Sequence, residues 1–260
     1  MQLQLENKVI LITGGAKGIG AAITRVVADE GGIPVMIDRD EEAGKKIEQD
    51  LMNAGGASKW IGADLSVISE CRQAVATVAK KYSRIDGLVN NAGVNDRVGL
   101  EHGSPEEYLA SLKRNLLHYY DMAHFCLPYL KKSKGPIVNI ASKTAVTGQG
   151  GTSGYASAKG AVLALTREWA VELLPYGIRV NAIVPAEVMT PLYRQWLSTF
   201  ADPEEKLKTI TARIPLGQRM TQPEEIAAVA VFLLSCKAGH VTGQHWFVDG
   251  GYVHLDRALT

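Results

Sequence analysis

Three observations predict an α/β protein built on a parallel sheet with helices on both faces. Short apolar, β-branched runs recur, and they are continuous rather than alternating, as strands buried on both faces require. Between them lie apolar stripes at helical spacing, such as Ile19, Ala22, Ile23, Val26 and Val27 at i, i+3, i+4, i+7 and i+8. The two patterns alternate through nearly all of the 260 residues, with no linker, repeat or low-complexity stretch. Strand–helix–strand alternation returns successive strands in one direction, so a doubly wound sheet of about seven strands is expected, in a single domain over 1–260.

Val9 to Thr13 is the first strand, and Gly14-Gly-Ala-Lys-Gly18-Ile-Gly20 follows directly, ahead of a helix that Gly31-Gly32 ends. Pro34 to Asp38 forms a second strand closing on an acid, and a charged helix with Ile47 and Leu51 leads to a third strand, Lys59 to Asp64. Cys71, Ala74, Val75, Val78 and Ala79 mark the next helix, and the fourth strand, Gly87 to Asn91, runs into Ala92-Gly93. Glu106 to Leu130 has room for two helices or one bent helix, stopped by Lys131-Lys132 and the Gly135-Pro136 break. Pro136 to Ala141 is the fifth strand, a helix from Gly154 and Tyr155 runs to about Gly177, and Ile178 to Val184 is the sixth. A polar and aromatic section at about 186–222 reads as a lid-like insertion. After it come a helix carrying Ile226, Val229, Ala230, Leu233 and Leu234 and a last strand near His245 to Val248.

Composition narrows the class. The chain is 46% hydrophobic with a net charge of +1 and no basic or acidic block, so nothing points to nucleic acid or an anionic membrane. Its start lacks the charged and apolar regions of a signal peptide, and no apolar run is long enough for a bilayer; a cytoplasmic protein is expected. Cys71, Cys126 and Cys236 are far apart and read as buried apolar residues of a reducing compartment. The six histidines form no metal-spaced cluster, so no metal is expected.

Glycines between a strand and an amphipathic helix suit a tight turn and close approach of backbone to a pyrophosphate. The spacing Gly14-x-x-x-Gly18-x-Gly20 differs from the Gly-x-Gly-x-x-Gly fingerprint, and Lys17 precedes a Gly rather than the Ser or Thr of a triphosphate loop. Asp38, ending the second strand, is placed to accept hydrogen bonds from an adenosine ribose and to repel a 2′-phosphate. NAD is therefore expected ahead of NADP. Arg39 and Lys17 keep NADP open, since either neutralises such a phosphate; a turn or N-cap role for Asp38 is the plainer alternative.

Tyr155 and Lys159 are i and i+4, on one helical face. An ammonium beside a phenol favours the phenolate and makes an acid/base pair, although a surface Tyr and Lys share that spacing. Together with Thr13 to Gly20, Asp64-Leu65, Asn90-Asn-Ala-Gly93, Asn115, Ser142, Asn181, Thr242-Gly243 and Val248 to Gly251, these residues resemble the short-chain dehydrogenase/reductase family in its single-domain, Rossmann-like form. The resemblance implies that Tyr155 takes the substrate hydroxyl proton while hydride leaves for a nicotinamide. Lys159 would hold the nicotinamide ribose and depress the Tyr155 pKa, Ser142 would hydrogen-bond the reacting oxygen, and Asn115 would hold a water linking Lys159 to solvent. It further implies a nucleotide lying against Gly14, Lys17, Gly18, Ile19, Gly20, Asp38, Arg39, Asp64, Leu65, Asn91, Ala92, Gly93, Val188 and Thr190.

The family pattern of Pro-Gly after the sixth strand is replaced by Pro185-Ala186-Glu187, which sets a carboxylate near the nicotinamide pocket. Asn95, Asp96, Lys143, Gln149, Glu187, Trp196 and Arg219 gather where the family places substrate. Donors and acceptors beside a tryptophan face suit a polyol or aldose, although each residue alone reads equally as a solvated loop position. Ser142 to Gln149, Pro185 to Tyr193 and Val248 to Leu259 resemble sugar 1-dehydrogenases that oxidise L-fucose, which implies oxidation of an anomeric hydroxyl. A 3-oxoacyl thioester reductase and a silent nucleotide-binding scaffold are the alternatives. The helix stripe Ala161, Val162, Leu165, Trp169 and Leu173 offers either a homotetramer contact, as the family implies, or core packing, and the tail 252–260 is a candidate to reach a neighbouring subunit's site.

Overall fold

The computed structural model describes residues 2–255. In chain order its elements are β1 (Val9–Thr13), α1 (Gly18–Asp29), β2 (Ile33–Ile37), α2 (Glu41–Asn53), β3 (Lys59–Ile61), α3 (Ile68–Tyr82), β4 (Gly87–Asn90), α4 (Pro105–Leu112) and α5 (His118–Ser133). There follow β5 (Ile137–Ile140), α6 (Ser153–Glu172), β6 (Val180–Pro185), α7 (Pro191–Leu197), α8 (Pro203–Thr211), α9 (Pro223–Leu234) and β7 (His245–Val248). The seven strands form one sheet in the order β3-β2-β1-β4-β5-β6-β7, and every neighbouring pair is parallel. The order reverses between β1 and β4, and in such sheets the crevice outside the carboxyl ends at that point is where ligands bind.

Side chains alternate between two core layers, as strand geometry demands. Leu11 and Leu88 face a core shared with Val78, Met122, Val162 and Trp169, whereas Ile10, Ile12 and Val89 face Ile23, Val27, Ile226 and Val231. Each apolar helical stripe therefore finds a sheet face. At about 25 cal/mol per Å² of apolar surface removed from water, these two layers supply the main driving force for folding.

Several elements differ from their sequence expectation, each for a local reason. β3 stops at Ile61 because its partner β2 ends at Ile37, and Asp64 instead accepts from Ser66 in the turn that follows. The 106–130 segment is two helices joined by a π turn, Lys113–Leu117, and the Ser111 carbonyl beneath that turn accepts from the Asn115 side chain at 3.1 Å. Cys71 and Cys126 are buried as expected, but Cys236 is exposed, its Sγ directed to Gln4. Val162, Trp169 and Leu173 pack into this chain's own core, the second of the two uses open to that stripe. Residues 256–260 of the tail lie outside the described residues. Among the described residues no helix is long and apolar enough to cross a membrane, and no cluster of metal-ligating side chains occurs.

Candidate active site

A cleft of about 940 Å³ opens along the carboxyl ends of the strands, from Arg39 and Asp64 at one end to Ser142, Tyr155, Lys159 and Tyr193 at the other. At the first end the turn after β1 needs its glycines. Gly14 and Gly18 have φ of +62° and +54°, and a Cβ on Gly20 would lie 2.0 Å from the Gly14 carbonyl oxygen. Asn91 locks this turn to β4 by donating from Nδ2 to the carbonyls of Thr13 (2.9 Å) and Gly14 (3.1 Å). Thr13 Oγ1 in turn accepts from the backbone N–H of Asn91 and Ala92. Lys17 stands at the N-cap of α1 without a side-chain cap, so the first-turn N–H groups face the cleft with the positive end of the helix dipole.

Asp38 Oδ2 accepts from the Ala16 N–H at 3.1 Å and Oδ1 from the Asp40 N–H at 3.0 Å, which fixes the carboxylate at the cleft edge. Lys17 is drawn to Asp40 in an ion pair, whereas Arg39 is exposed on the cleft lining. The carboxyl of Asp64 is held below its usual range by its bonds from Ser66. Ile19, Leu65, Ala92, Gly93, Val188 and Thr190 complete this wall, and Thr190 Oγ1 caps α7 by accepting from the Tyr193 N–H at 3.2 Å. These residues fit an adenine dinucleotide: a glycine cradle that a Cβ would fill, an open helix N-terminus for the pyrophosphate, and a fixed acid for the ribose.

At the other end, β5 delivers Ser142 and the first turns of α6 deliver Tyr155 and Lys159. Ser142 is 8% exposed and its Oγ accepts from Thr144 Oγ1 at 3.1 Å. Lys159 is 2% exposed, and its Nζ lies 5.6 Å from the centre of the Tyr155 ring. Burial pushes the Lys159 ammonium down to about 7. Burial also pushes the Tyr155 phenol up to about 12, against the lowering effect of a hydrogen bond from Ser142. At the Tyr155 phenol, loss of solvation outweighs the hydrogen bond from Ser142. Asn115 is fully buried in the π turn, where its Oδ1 accepts from the Val94 N–H at 2.7 Å, so its side chain clamps the β4 loop to the α4–α5 segment.

The residues expected at the substrate separate into three groups. Lys143 and Glu187 come together as an ion pair just behind the cleft lining, with side chains 10% and 15% exposed; Tyr193, on the lining, hydrogen-bonds Glu187, and the Lys143 Nζ lies 4.1 Å from the centre of the Tyr252 ring. Asn95 lines the cleft, and Asp96 beside it is held by Ser111 and Arg114. Trp196 packs edge-on between Tyr193 and Phe200, with Arg97 over its ring, and lies outside the cleft lining. Gln149 is exposed at a loop tip. Arg219 is not brought to the cleft: its guanidinium makes a bidentate pair with Glu225 at 2.7 and 2.6 Å and serves the start of α9. Sequence reasoning missed Tyr119 and Tyr193, and it assigned Tyr252 to a tail reaching a neighbouring subunit's site rather than to a place beside Lys143. Only Tyr119 carried a local signal, its position one helical turn after Asn115; the other two are placed by long-range packing.

Comparison with known proteins agrees with this geometry. A family model described as enoyl-(acyl carrier protein) reductase matches residues 14–253. The chain is 38% identical over 247 residues to the L-fucose dehydrogenase of Rattus norvegicus, covering 95% of this chain and 89% of that one. It is 36% identical over 252 residues to a 3-oxoacyl-(acyl-carrier-protein) reductase of Thermotoga maritima, covering 96% and 100%. A solved structure described as Cj0485 dehydrogenase superposes with a TM-score of 0.95 at 50% identity, covering 100% of this chain and 99% of that one. The aldohexose dehydrogenase of Thermoplasma acidophilum superposes with a TM-score of 0.89 at 30% identity, covering 98% and 97%. The chain belongs to the short-chain dehydrogenase/reductase family. It is an NAD(P)-dependent oxidoreductase acting on CH–OH donors.

Proposed function

We propose that this enzyme oxidises the anomeric hydroxyl of an aldopyranose to the lactone, with L-fucose the first candidate and NAD the preferred oxidant. The observation that carries the reading is the buried Lys143–Glu187 ion pair, which sits just behind the cleft lining, begins one residue from Ser142 and is bonded by Tyr193, a residue of the cleft wall. Such a cluster suits a polyhydroxylated ring better than an acyl chain, because an apolar ligand against it would leave charge and hydroxyls unmatched. The L-fucose and aldohexose dehydrogenases among the similar proteins support the same choice.

In this reading Tyr155 takes the proton of the C1 hydroxyl as the C1–H bond breaks and C1=O forms. A bound oxidised nicotinamide supplies the acceptor for the hydride and its electron pair. Ser142 holds the reacting oxygen, Lys159 supplies the cation that favours a Tyr155 phenolate, and Asn115 keeps the β4 loop closed behind Lys159. Asp38 selects NAD by repelling a 2′-phosphate, and the engagement of Lys17 by Asp40 leaves Arg39 as the nearby cation for NADP. The 186–222 section acts as a lid: its two ends are stitched together by Thr221, which donates to the Glu187 carbonyl and accepts from the Met189 N–H, while α7 reaches the cleft with Tyr193. A homotetramer is part of the proposal, supported by Leu109, Leu117, Val171 and Leu174 exposed on the helices.

The test is a panel of aldoses with NAD and NADP, followed at the reduced-nicotinamide absorbance. L-fucose turnover is expected, with Tyr155→Phe lowering kcat by about 10²–10⁴. Inactivity on every aldose, together with reduction of 3-oxoacyl thioesters, would replace this reading with the reductase activity of the Thermotoga relative.

A further inference from the structure

Lys159 is a buried cation for which no carboxylate among the described residues serves as a partner. Its Nζ instead donates to two neutral oxygens: the Tyr119 hydroxyl at 2.8 Å and the Ile140 carbonyl at 2.8 Å. The Tyr119 hydroxyl donates its own hydrogen bond to the same Ile140 carbonyl, also at 2.8 Å, so the three groups close a ring of hydrogen bonds. An ammonium has three donors. Fixing two of them fixes the direction of the third, and the open side is that of Gly93, where an added Cβ would come within 3.4 Å of Nζ.

Tyr119 itself is wholly buried, and its ring belongs to the core beneath α5. A phenylalanine would fill that space equally well, so packing explains the ring and leaves the hydroxyl unexplained. The other groups facing this point are few. His118, whose ring centre is 4.9 Å from that of Tyr119, is kept neutral by burial, with its Nε2 against the Arg114 carbonyl. Tyr155 lies on α6 beside Lys159, Ser142 follows β5, Asp96 acts on Tyr155 from the loop after β4, and Asn115 is committed to Val94 and Ser111.

We propose that Tyr119 is a positioning residue for the reaction: its hydroxyl, braced on the Ile140 carbonyl, accepts from the Lys159 ammonium, which favours the charged form against the effect of burial and aims it past Gly93 toward Tyr155 and the nucleotide. Because its O–H is donated to a backbone carbonyl, Tyr119 is no conduit for protons; it acts only through Lys159. The inference rests on the assignment of Lys159 above.

Tyr119→Phe removes the oxygen and keeps the ring. Losing an acceptor disfavours the charged form of Lys159 and, through it, the Tyr155 phenolate. The acid limb of the kcat–pH profile for oxidation is therefore expected to move up by about one pH unit, a fall of about tenfold at a pH on that limb, with substrate KM within about twofold. Tyr120→Phe, at the exposed neighbour that stacks on His124, serves as control and keeps the parent profile. A Tyr119→Phe profile superimposable on the parent overturns the proposal, whatever happens to thermal stability. Tyr119→Leu and Tyr119→Met give the same reading should the Phe variant fold poorly, each checked first by fluorescence titration with reduced nicotinamide nucleotide. Lys159→Met separates the two levels of argument. If it retains turnover, the site assignment itself fails; if it is inert while the Tyr119 profile is unshifted, only the role of Tyr119 fails.

Discussion

The nucleotide end of the cleft carries a lysine–carboxylate pair on its lining, the reacting end has one just behind its lining, and the two pairs do opposite work. Lys17–Asp40 sits at the rim, with side chains 62% and 32% exposed. The contact raises the Lys17 pKa and lowers that of Asp40 by hydrogen bonding, but water competes for both groups throughout. Lys143–Glu187 is nearly closed off, joins a loop after β5 to the chain leaving β6, and is walled by Tyr193 and Tyr252. A buried pair contributes little net stability, but removing one partner strands the other charge away from water. The nucleotide end thus relies on backbone geometry with charge as an adjustment, and the substrate end relies on charges whose positions are coupled.

Breaking Lys143–Glu187 should give the largest effect. Lys143→Met is expected to lower stability by about 3 kcal/mol in urea unfolding and to raise the sugar KM at least tenfold. Unchanged stability and KM would show that the pair is no more than a rim contact like its counterpart.

Lys159→Met tests the remaining buried lysine of the cleft, and its effect should have the other sign. Between pH 7 and about 10 the unfolded chain holds the Lys159 proton and the folded chain does not, so this group makes the parent more stable as pH rises. Below pH 7 the cost of burying the cation is fully present. The variant should therefore be inactive yet more stable at pH 7, by on the order of 2 kcal/mol, with the gain shrinking as pH approaches 10. A gain that does not vary with pH, measured by thermal melts, would rule out titration of Lys159 as its source.

Asp38→Ser addresses the nucleotide end. Removing the repulsion of a 2′-phosphate should shift the ratio of kcat/KM for NAD over NADP by about tenfold toward NADP. An unaltered ratio would leave Asp38 as a turn residue bonded to Ala16 and Asp40 and nothing more. Lys17→Met should be the mildest change, leaving the melting temperature within error of the parent; a clear drop would make the two ion pairs alike.

What the amino-acid order determined by itself is what depends on near neighbours. Continuous apolar runs and helical stripes specify strands and helices, and the glycines of 14–20 specify a turn that no side chain could occupy. Tyr155 and Lys159 share a face because four residues of helix place them so. Only the tertiary structure decided what lies far apart in sequence. The strand order brought Asp38 to the Ala16 N–H, and the meeting of two loops paired Lys143 with Glu187 and set Tyr252 over them. Even the six-residue pairing of Arg219 with Glu225, which takes Arg219 away from the cleft, depends on where the start of α9 is set. The Lys159–Tyr119 contact spans 40 residues and needs α5 and α6 docked on β5, which no local pattern encodes. Short-range geometry is written into residue order, whereas pairing of charges across the cleft is settled by which surfaces exclude water from one another.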